Sequence, residues 1–288
     1  THDWVTDIIS AIVVIGISTS YAPQHYRIIK AKSSQGFSPL FLLLGSTSAA
    51  AGMWNMITMQ WGVARCCSVV SLGSCVEMTA GIFQVFVQWF CFTLIFVLYM
   101  IYYPKHLKYA QTPKLSATIS DLSTKSPQWR MSVICAWITF WHFMLSATIT
   151  IYLMTTAPST PTAGIPPPDY ILLLATLLGV TSAILAAIQY APQLIHTYRL
   201  KLVGVLSIPM MCINAPGSVF MIVSIASRPG TNWTSWFTFL VAGIMQGALL
   251  LICLMWKLRQ RRLGIDDFGN PVNPVKSPDE ECRYLIRK

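Results

Sequence analysis

Apolar residues dominate seven stretches of the chain, and most polar and charged residues lie between them. The stretches lie near residues 4–22, 39–60, 78–102, 131–154, 170–191, 206–226 and 233–256. A membrane-spanning helix needs about 20 mainly apolar residues. Backbone groups in lipid must pair within their own segment, and these stretches are too long and too evenly apolar for barrel strands. The pattern therefore predicts an all-α membrane protein with seven transmembrane helices.

The amino-acid composition also indicates a protein embedded in a lipid bilayer. Hydrophobic residues make up 54% and charged residues 10% of the 288 positions, and the mean hydropathy is +0.57. Soluble domains carry about 25% charged residues, so we expect the lipid bilayer as a partner. The net charge of +10 does not indicate a nucleic-acid partner, because the basic residues lie between apolar stretches and not on one face of a fold.

The basic residues mark alternate connections between the predicted spans. All but two of the 20 Lys and Arg lie in the connections 24–38, 103–130 and 193–205 and in the tail after Trp256. By the positive-inside rule these segments are cytosolic, which puts the C-terminus in the cytosol and the N-terminus outside or in a lumen. The sequon Asn232-Trp233-Thr234 then falls on the lumenal side, and Asn232 is a candidate for glycosylation.

The eight cysteines do not have the spacing of a metal site. Cys66, Cys67 and Cys75 share one short connection, where one disulfide can form if the connection faces an oxidising lumen. Whether any of them pair is left open. We expect no metal, no cofactor and no enzymatic activity, because no nucleophile–base arrangement occurs in the chain.

A four-residue motif occurs twice. Tyr21-Ala22-Pro23-Gln24 recurs 169 positions later as Tyr190-Ala191-Pro192-Gln193, and at the same shift Lys32 coincides with Lys201. A second shared string, 80–84 against 242–246, follows at a shift of 162. Such internal similarity indicates a duplicated structural unit.

The number of spans fits a duplication of three helices. A three-helix unit ends on the membrane side opposite to its start, so a second copy in the same orientation needs one extra crossing, which span 131–154 supplies. We therefore predict two parallel three-helix repeats joined by a linker helix, in the order 3+1+3. The repeats are 1–103 and 169–256, the linker region is 104–168, and the cytosolic tail is 257–288.

The doubled Pro-Gln motif, the basic loop after it and the 3+1+3 plan resemble the PQ-loop repeat family over about residues 8–256. That family includes cystinosin, vacuolar and lysosomal exporters of cationic amino acids, and more distantly the SWEET sugar transporters and the KDEL receptor. The resemblance implies export of a small-molecule substrate, an amino acid of the cationic or cystine-like class, across the vacuolar or lysosomal membrane by alternating access. The alternatives are a sugar-type facilitator and a cargo or sorting receptor of KDEL-receptor-like architecture.

The motif prolines are candidate hinges. Proline lacks an N–H and its ring clashes with the carbonyl four residues earlier, so Pro23 frees the carbonyl of Thr19 and Pro192 that of Ile188. The amides of Gln24 and Gln193 can donate to such carbonyls. We expect these four motif residues to let the cytosolic ends close while the lumenal ends open.

Polar residues inside the spans are candidates for substrate binding, because they usually face a cavity or a partner helix. They are Trp54, Asn55, Gln84, Asn214, Ser218 and Gln246. Neutral amides suit a zwitterion or a polyol; the alternative is hydrogen bonding between helices, at about 0.6 kcal/mol each. Gln84 and Gln246 are repeat equivalents that could face each other across the pseudo-twofold axis, and the string 214–217 is expected to interrupt its helix.

Proton coupling stays open at this point. Cystinosin-like relatives use an acidic residue inside the second repeat, and here only Glu77, outside that repeat, approaches the interior of a span. His142 in the linker helix is interpreted as structural, not as a proton relay.

The C-terminal tail carries a candidate sorting signal. Glu281 with Leu285 and Ile286 resembles the acidic dileucine signal that adaptor proteins read on the cytosolic side. This pattern favours the vacuolar or lysosomal membrane over the plasma membrane.

Overall fold

The computed structural model describes residues 4–34, 37–65, 67, 69, 72–109, 125–156, 168–203, 208–228 and 231–265. Within these residues the chain forms seven long helices and one single-turn helix. They are α1 (Trp4–Ala31), α2 (Pro39–Arg65), α3 (Leu72–Ile101), α4 (Lys105–Lys108), α5 (Pro127–Thr156), α6 (Asp169–Leu200), α7 (Ile208–Ala226) and α8 (Trp233–Leu263).

Five helices are long and apolar enough to cross a bilayer, which confirms the predicted all-α membrane class. The qualifying segments are Pro39–Arg65, Met78–Ile101, Pro127–Thr156, Asp169–Arg199 and Trp233–Leu263. The apolar segment Met211–Ala226 of α7 is shorter. Each predicted span coincides with one long helix, and the crossing of the membrane by all seven remains a prediction.

Prolines do not end the helices in which they lie. The predicted first span stops at residue 22, but α1 continues through Pro23 to Ala31, and α6 continues through Pro192 to Leu200. The expected interruption at 214–217 is wrong, because α7 runs unbroken through Pro216. A proline removes one backbone hydrogen bond, while the bonds on either side of it remain.

The helices alternate in direction, so the bundle has two ends. The loop residue Ser34 donates to the carbonyls of Tyr99 and Tyr102 at the close of α3, while Asn55 late in α2 reaches Ala175 early in α6. We call one end the Trp4 end, with residues Trp4, Arg65, Leu72, Thr156, Asp169, Ala226 and Trp233. The other is the Ala31 end, with residues Ala31, Pro39, Ile101, Pro127, Leu200, Ile208 and Leu263.

The helix contacts have the symmetry of two triplets. Helix α3 packs against both α1 and α2, and α8 packs against both α6 and α7 in the same way. Between the triplets, α2 packs on α6 and α1 packs on α7. These two interfaces are equivalent if α1 corresponds to α6 and α2 to α7. The linker helix α5 lies mainly against α2.

The ends of the two motif helices also match. Lys32 after α1 has φ 47° and Lys201 after α6 has φ 56°, and among the described residues they are the two non-glycine positions with positive φ. The backbone N–H of Lys201 donates to the carbonyl of Thr197. Left-handed residues commonly close helices in this way, and these two are the lysines that coincide in the sequence repeat.

The two interfaces between the triplets differ in how closely the helices approach. At α2–α6, Ser48 Oγ donates to the carbonyl of Ser182 at 2.8 Å, and Ser182 Oγ donates back to the carbonyl of Ser48 at 2.7 Å. A Cβ added at Gly45 would meet the Phe92 ring and the Gln189 amide. At α1–α7, a Cβ added at Gly16 or Gly217 would meet no heavy atom within 4 Å.

The buried apolar residues form one shared core at the Trp4 end and two separate cores at the Ala31 end. The shared core joins both triplets and consists of Val13, Met53, Met56, Val85, Met221, Ile225 and Phe239. At the Ala31 end, one core lies among the first triplet and α5, with Ile28, Leu42, Ile95, Phe96, Leu98, Tyr99, Tyr103, Trp129 and Cys135. The other lies in the second triplet, with Val203, Met211, Leu249 and Cys253.

A disulfide closes the connection between α2 and α3. Cys67 bonds to Cys75 at the Trp4 end. Of the three cysteines that share this connection, Cys66 lies outside the described residues.

Candidate functional site

A cavity of about 360 Å³ lies between α1 and α7, where the two triplets approach least closely. Gly16 of α1 and Gly217 of α7 line it, and the space in front of each is open. Residues of α3, α6 and α8 complete its wall. A concave site between repeats is where transporters built from internal repeats bind their substrates.

A smaller cavity of about 60 Å³ extends this space toward the α2–α6 interface. The two cavities share Tyr21, Gln88, Tyr190, Phe239 and Ala242 in their walls. The shared residues come from both triplets, so the combined space lies on the pseudo-twofold axis.

The two motif tyrosines flank an aromatic pair on the Ala31 side of the bundle. The Tyr21 ring packs edge-on against Phe92 at 6.3 Å, and Tyr190 packs edge-on against Phe41 at 6.5 Å. Phe41 and Phe92 lie 6.1 Å apart. The repeated motif therefore delivers an equivalent aromatic side chain to the cavity from each triplet.

Neutral polar groups line the cavity. Gln246 Nε2 donates to the Tyr190 hydroxyl at 2.7 Å, while Gln246 Oε1 is buried without a hydrogen-bond partner in the described structure. Gln88 and Asn214 also line the cavity. Ser218 lies in the same wall, and its Oγ donates to the carbonyl of Ala215 at 2.7 Å. Of the predicted substrate-binding residues, the structure brings Asn214, Ser218 and Gln246 together here.

The other three predicted substrate-binding residues lie away from the cavity wall. Asn55 is fully buried, and its Nδ2 donates to the carbonyl of Ala175 at 2.6 Å and to Thr234 Oγ1 at 3.1 Å. Trp54 packs against Phe143 of the linker helix at 5.7 Å. Both contacts connect α2 to neighbouring helices.

Gln84 also contacts a helix and not the cavity. It is fully buried, its Nε2 donates to Ser224 Oγ at 2.9 Å, and Ser224 Oγ donates to Gln84 Oε1 at 3.1 Å. The expectation that Gln84 and Gln246 face each other is not met, because their amides bond to Ser224 and Tyr190 instead. Gln84 therefore bonds across to the other triplet, whereas Gln246 bonds within its own triplet.

The motif Pro-Gln pairs lie at matching places but outside the cavity wall. Pro23 and Pro192 are each eight residues before the end of their helix, and both are exposed. Gln193 Nε2 donates to Thr197 Oγ1 at 3.3 Å, not to the carbonyl of Ile188 as expected. Thr197 lies one turn further toward the helix end, which is where the side chain of Gln193 points.

Four polar residues of the cavity wall are absent from the predicted site: Ser20, Tyr21, Gln88 and Tyr190. Tyr21 and Tyr190 belong to the repeated motif, so their recurrence is a sequence signal for this role. Gln88 lies one turn after Gln84 on α3, and only the tertiary structure separates the one that lines the cavity from the one that does not.

Asn232 and His142 lie apart from the site. Asn232 Oδ1 accepts from the backbone N–H of Trp233 at 2.6 Å, so its side chain caps α8. His142 is half-buried on the linker helix. Glu281, Leu285 and Ile286 of the sorting signal lie outside the described residues.

The comparisons with known proteins match the same duplicated helices. The sequence profile of the PQ loop repeat matches residues 5–63, which hold α1 and most of α2, and residues 174–233, which hold most of α6 and all of α7. "Uncharacterized protein C4C5.03" of Schizosaccharomyces pombe is 30% identical over 262 residues, which cover 88% of this chain and 81% of that protein. The chain therefore belongs to the PQ-loop repeat family.

Proposed function

We propose that this protein is a transporter that carries a small polar solute across a membrane through the cavity between its two repeats. The observation that carries this proposal is the cavity of about 360 Å³ lined by both triplets and by both motif tyrosines. Transporters with parallel repeats bind their substrates at the repeat interface near the middle of the membrane.

The distribution of the buried cores supports alternating access. One core joins the triplets at the Trp4 end, whereas the two cores at the Ala31 end are separate, although Phe41 of α2 still contacts Tyr190 of α6 there. At the Trp4 end, Arg228 after α7 also donates to Ser10 Oγ of α1 at 2.5 Å. Two repeats that share a core at one end, with a cavity between them, fit one of the two states that alternating access requires.

The repeated motif provides the points at which α1 and α6 would bend during alternating access. Pro23 with Gln24 and Pro192 with Gln193 are the hinge residues of the proposal, because a proline weakens its helix at one point. Tyr21 and Tyr190 precede the prolines by two residues and line the cavity. Bending at the hinges would therefore move both tyrosines and change the shape of the binding site.

The substrate and the membrane belong to the same proposal. The first candidate solute is an amino acid, and the membrane is that of the vacuole or lysosome, with the Ala31 end in the cytosol. The basic residues support this orientation: at the Ala31 end every charged position among the described residues is Lys or Arg.

The test is a counterflow experiment with the purified full-length protein in liposomes. Vesicles preloaded with unlabelled amino acids or sugars should accumulate the matching labelled solute faster than protein-free vesicles. The control is the Asn214→Leu and Gln246→Leu double variant, in which two cavity amides are removed and accumulation should fall about tenfold or more. Saturable solute binding without any flux would contradict transport and favour a cargo receptor of the same architecture.

A further inference from the structure

Among the side chains that the structure describes, those that line the combined cavity carry no charge. The residues that surround it are aliphatic, aromatic, hydroxyl-bearing or amide-bearing throughout. The polar residues that line its larger part are Ser20, Tyr21, Gln88, Tyr190, Asn214, Ser218 and Gln246. A solute with a net charge would lose water in this space and find no opposite charge in exchange, whereas the two charges of a zwitterion offset each other.

Several of these polar groups have unused capacity for hydrogen bonds. The Tyr21 hydroxyl and the amides of Gln88 and Asn214 make no side-chain hydrogen bond within the described part of the chain, and none of them is an ion. Gln246 donates to Tyr190 and leaves its Oε1 buried and unpaired. The cavity therefore offers both donors and acceptors to a ligand, and a buried polar group without a partner is stabilised when a ligand supplies one.

Positive charges near the cavity also disfavour the entry of cationic solutes. At the Ala31 end, the two motif helices that flank the cavity carry Lys30 and Arg199 in their last turns. Lys32 and Lys201 follow them directly. A surface of one sign lowers the local concentration of solutes of the same sign. A cationic solute would be repelled at this end, and an anionic one would be attracted there but would meet no cation inside.

We propose that the site selects an electrically neutral solute rich in hydrogen-bonding groups, such as a zwitterionic amino acid or a polyol, and rejects cationic amino acids. This inference rests on the proposed transport function and narrows its substrate class. Neutral amides and phenols discriminate by leaving a mismatched ion unpaired, which is how polar sites achieve high selectivity.

Counterflow of four labelled probes tests the selectivity: L-glutamine, D-glucose, L-lysine and L-aspartate, at equal concentrations in liposomes with the purified full chain. We expect glutamine or glucose to exchange at least about tenfold faster than lysine or aspartate. The glutamine and glucose arms separate a zwitterion site from a polyol site. Lysine exchange as fast as that of the neutral probes would overturn the selectivity while leaving transport intact, whereas no exchange of any probe would overturn transport and the selectivity with it.

A charge placed in the cavity provides a second test. Gln246→Glu changes one amide into a carboxylate of the same shape, so it should lower exchange of the neutral probe and raise lysine exchange above that of the wild type. The matched control is Gln128→Glu, which adds the same charge at an exposed position at the start of α5 and should change neither. If Gln246→Glu does not fold, as judged by gel filtration, Asn214→Asp on α7 is measured in its place. A folded carboxylate variant with the probe preference of the wild type would contradict the inference.

Discussion

At position 55, the amide of one asparagine holds three helices together. Asn55 of α2 donates to the carbonyl of Ala175 on α6 and to the hydroxyl of Thr234 on α8. Gly179 of α6 lies beside this contact, since a Cβ added there would meet Thr234 and the Asn55 amide. The polar side chain thus stabilises the helix packing of the closed interface.

Removal of this amide should affect stability and not substrate affinity. We expect Asn55→Ala to lower the free energy of unfolding by about 1–2 kcal/mol, because a buried carbonyl and a hydroxyl lose their donor. The midpoint of thermal unfolding in detergent measures the first effect. The apparent KM of the folded variant in liposomes measures the second and should equal that of the wild type. A raised KM with unchanged stability would instead make Asn55 a substrate contact.

At the scale of the helices, glycines distinguish the two equivalent interfaces. Gly45 on α2 touches an aromatic ring and an amide from neighbouring helices, whereas Gly16 on α1 faces open space. Close contact between membrane helices depends on small residues, since packing and not the hydrophobic effect holds them together. The interface α2–α6 is therefore built for fixed contact and α1–α7 is not.

A methyl group should have opposite effects at these two glycines. Gly45→Ala is expected to destabilise the protein by about 1–3 kcal/mol through overpacking against Phe92 and Gln189. Gly16→Ala should be neutral or stabilising by up to about 1 kcal/mol, because alanine favours the helix more than glycine does. Thermal unfolding of both variants in the same detergent decides the matter, and equal losses at the two positions would show that both interfaces are tightly packed.

Each motif proline affects the bending of a whole helix. Pro23→Ala and Pro192→Ala restore a backbone hydrogen bond in α1 and α6, so each helix should stiffen and exchange should slow several-fold. The amount of protein in the membrane should not fall. Unchanged exchange in both motif variants would refute the hinges.

For the whole molecule, the closed interface α2–α6 is the expected pivot, and the open interface α1–α7 is the expected path. Ser48 Oγ and Ser182 Oγ lie 3.3 Å apart across the pivot, which is near enough for a disulfide between cysteines at these positions. We expect the Ser48→Cys, Ser182→Cys variant to keep its exchange activity after oxidation, because these residues move together.

Each single cysteine variant under the same oxidant controls for the native cysteines, and a reductant reverses the cross-link. Loss of exchange on oxidation that reduction restores, confined to the double variant, would show that the α2–α6 interface must separate during transport.

The apolar pattern and the repeat by themselves determined the all-α class and the family and predicted the two triplets, because segment length and duplication are properties of the order of residues. The ends of the helices were harder to predict from the sequence. Helix α1 continues past Pro23, because the loss of one backbone hydrogen bond does not outweigh the stability of the remaining helix. Only the tertiary structure decided which amides line the cavity. Gln246 does and its repeat equivalent Gln84 does not, because Gln84 is buried against Ser224 of α7, and that contact joins residues far apart in the sequence.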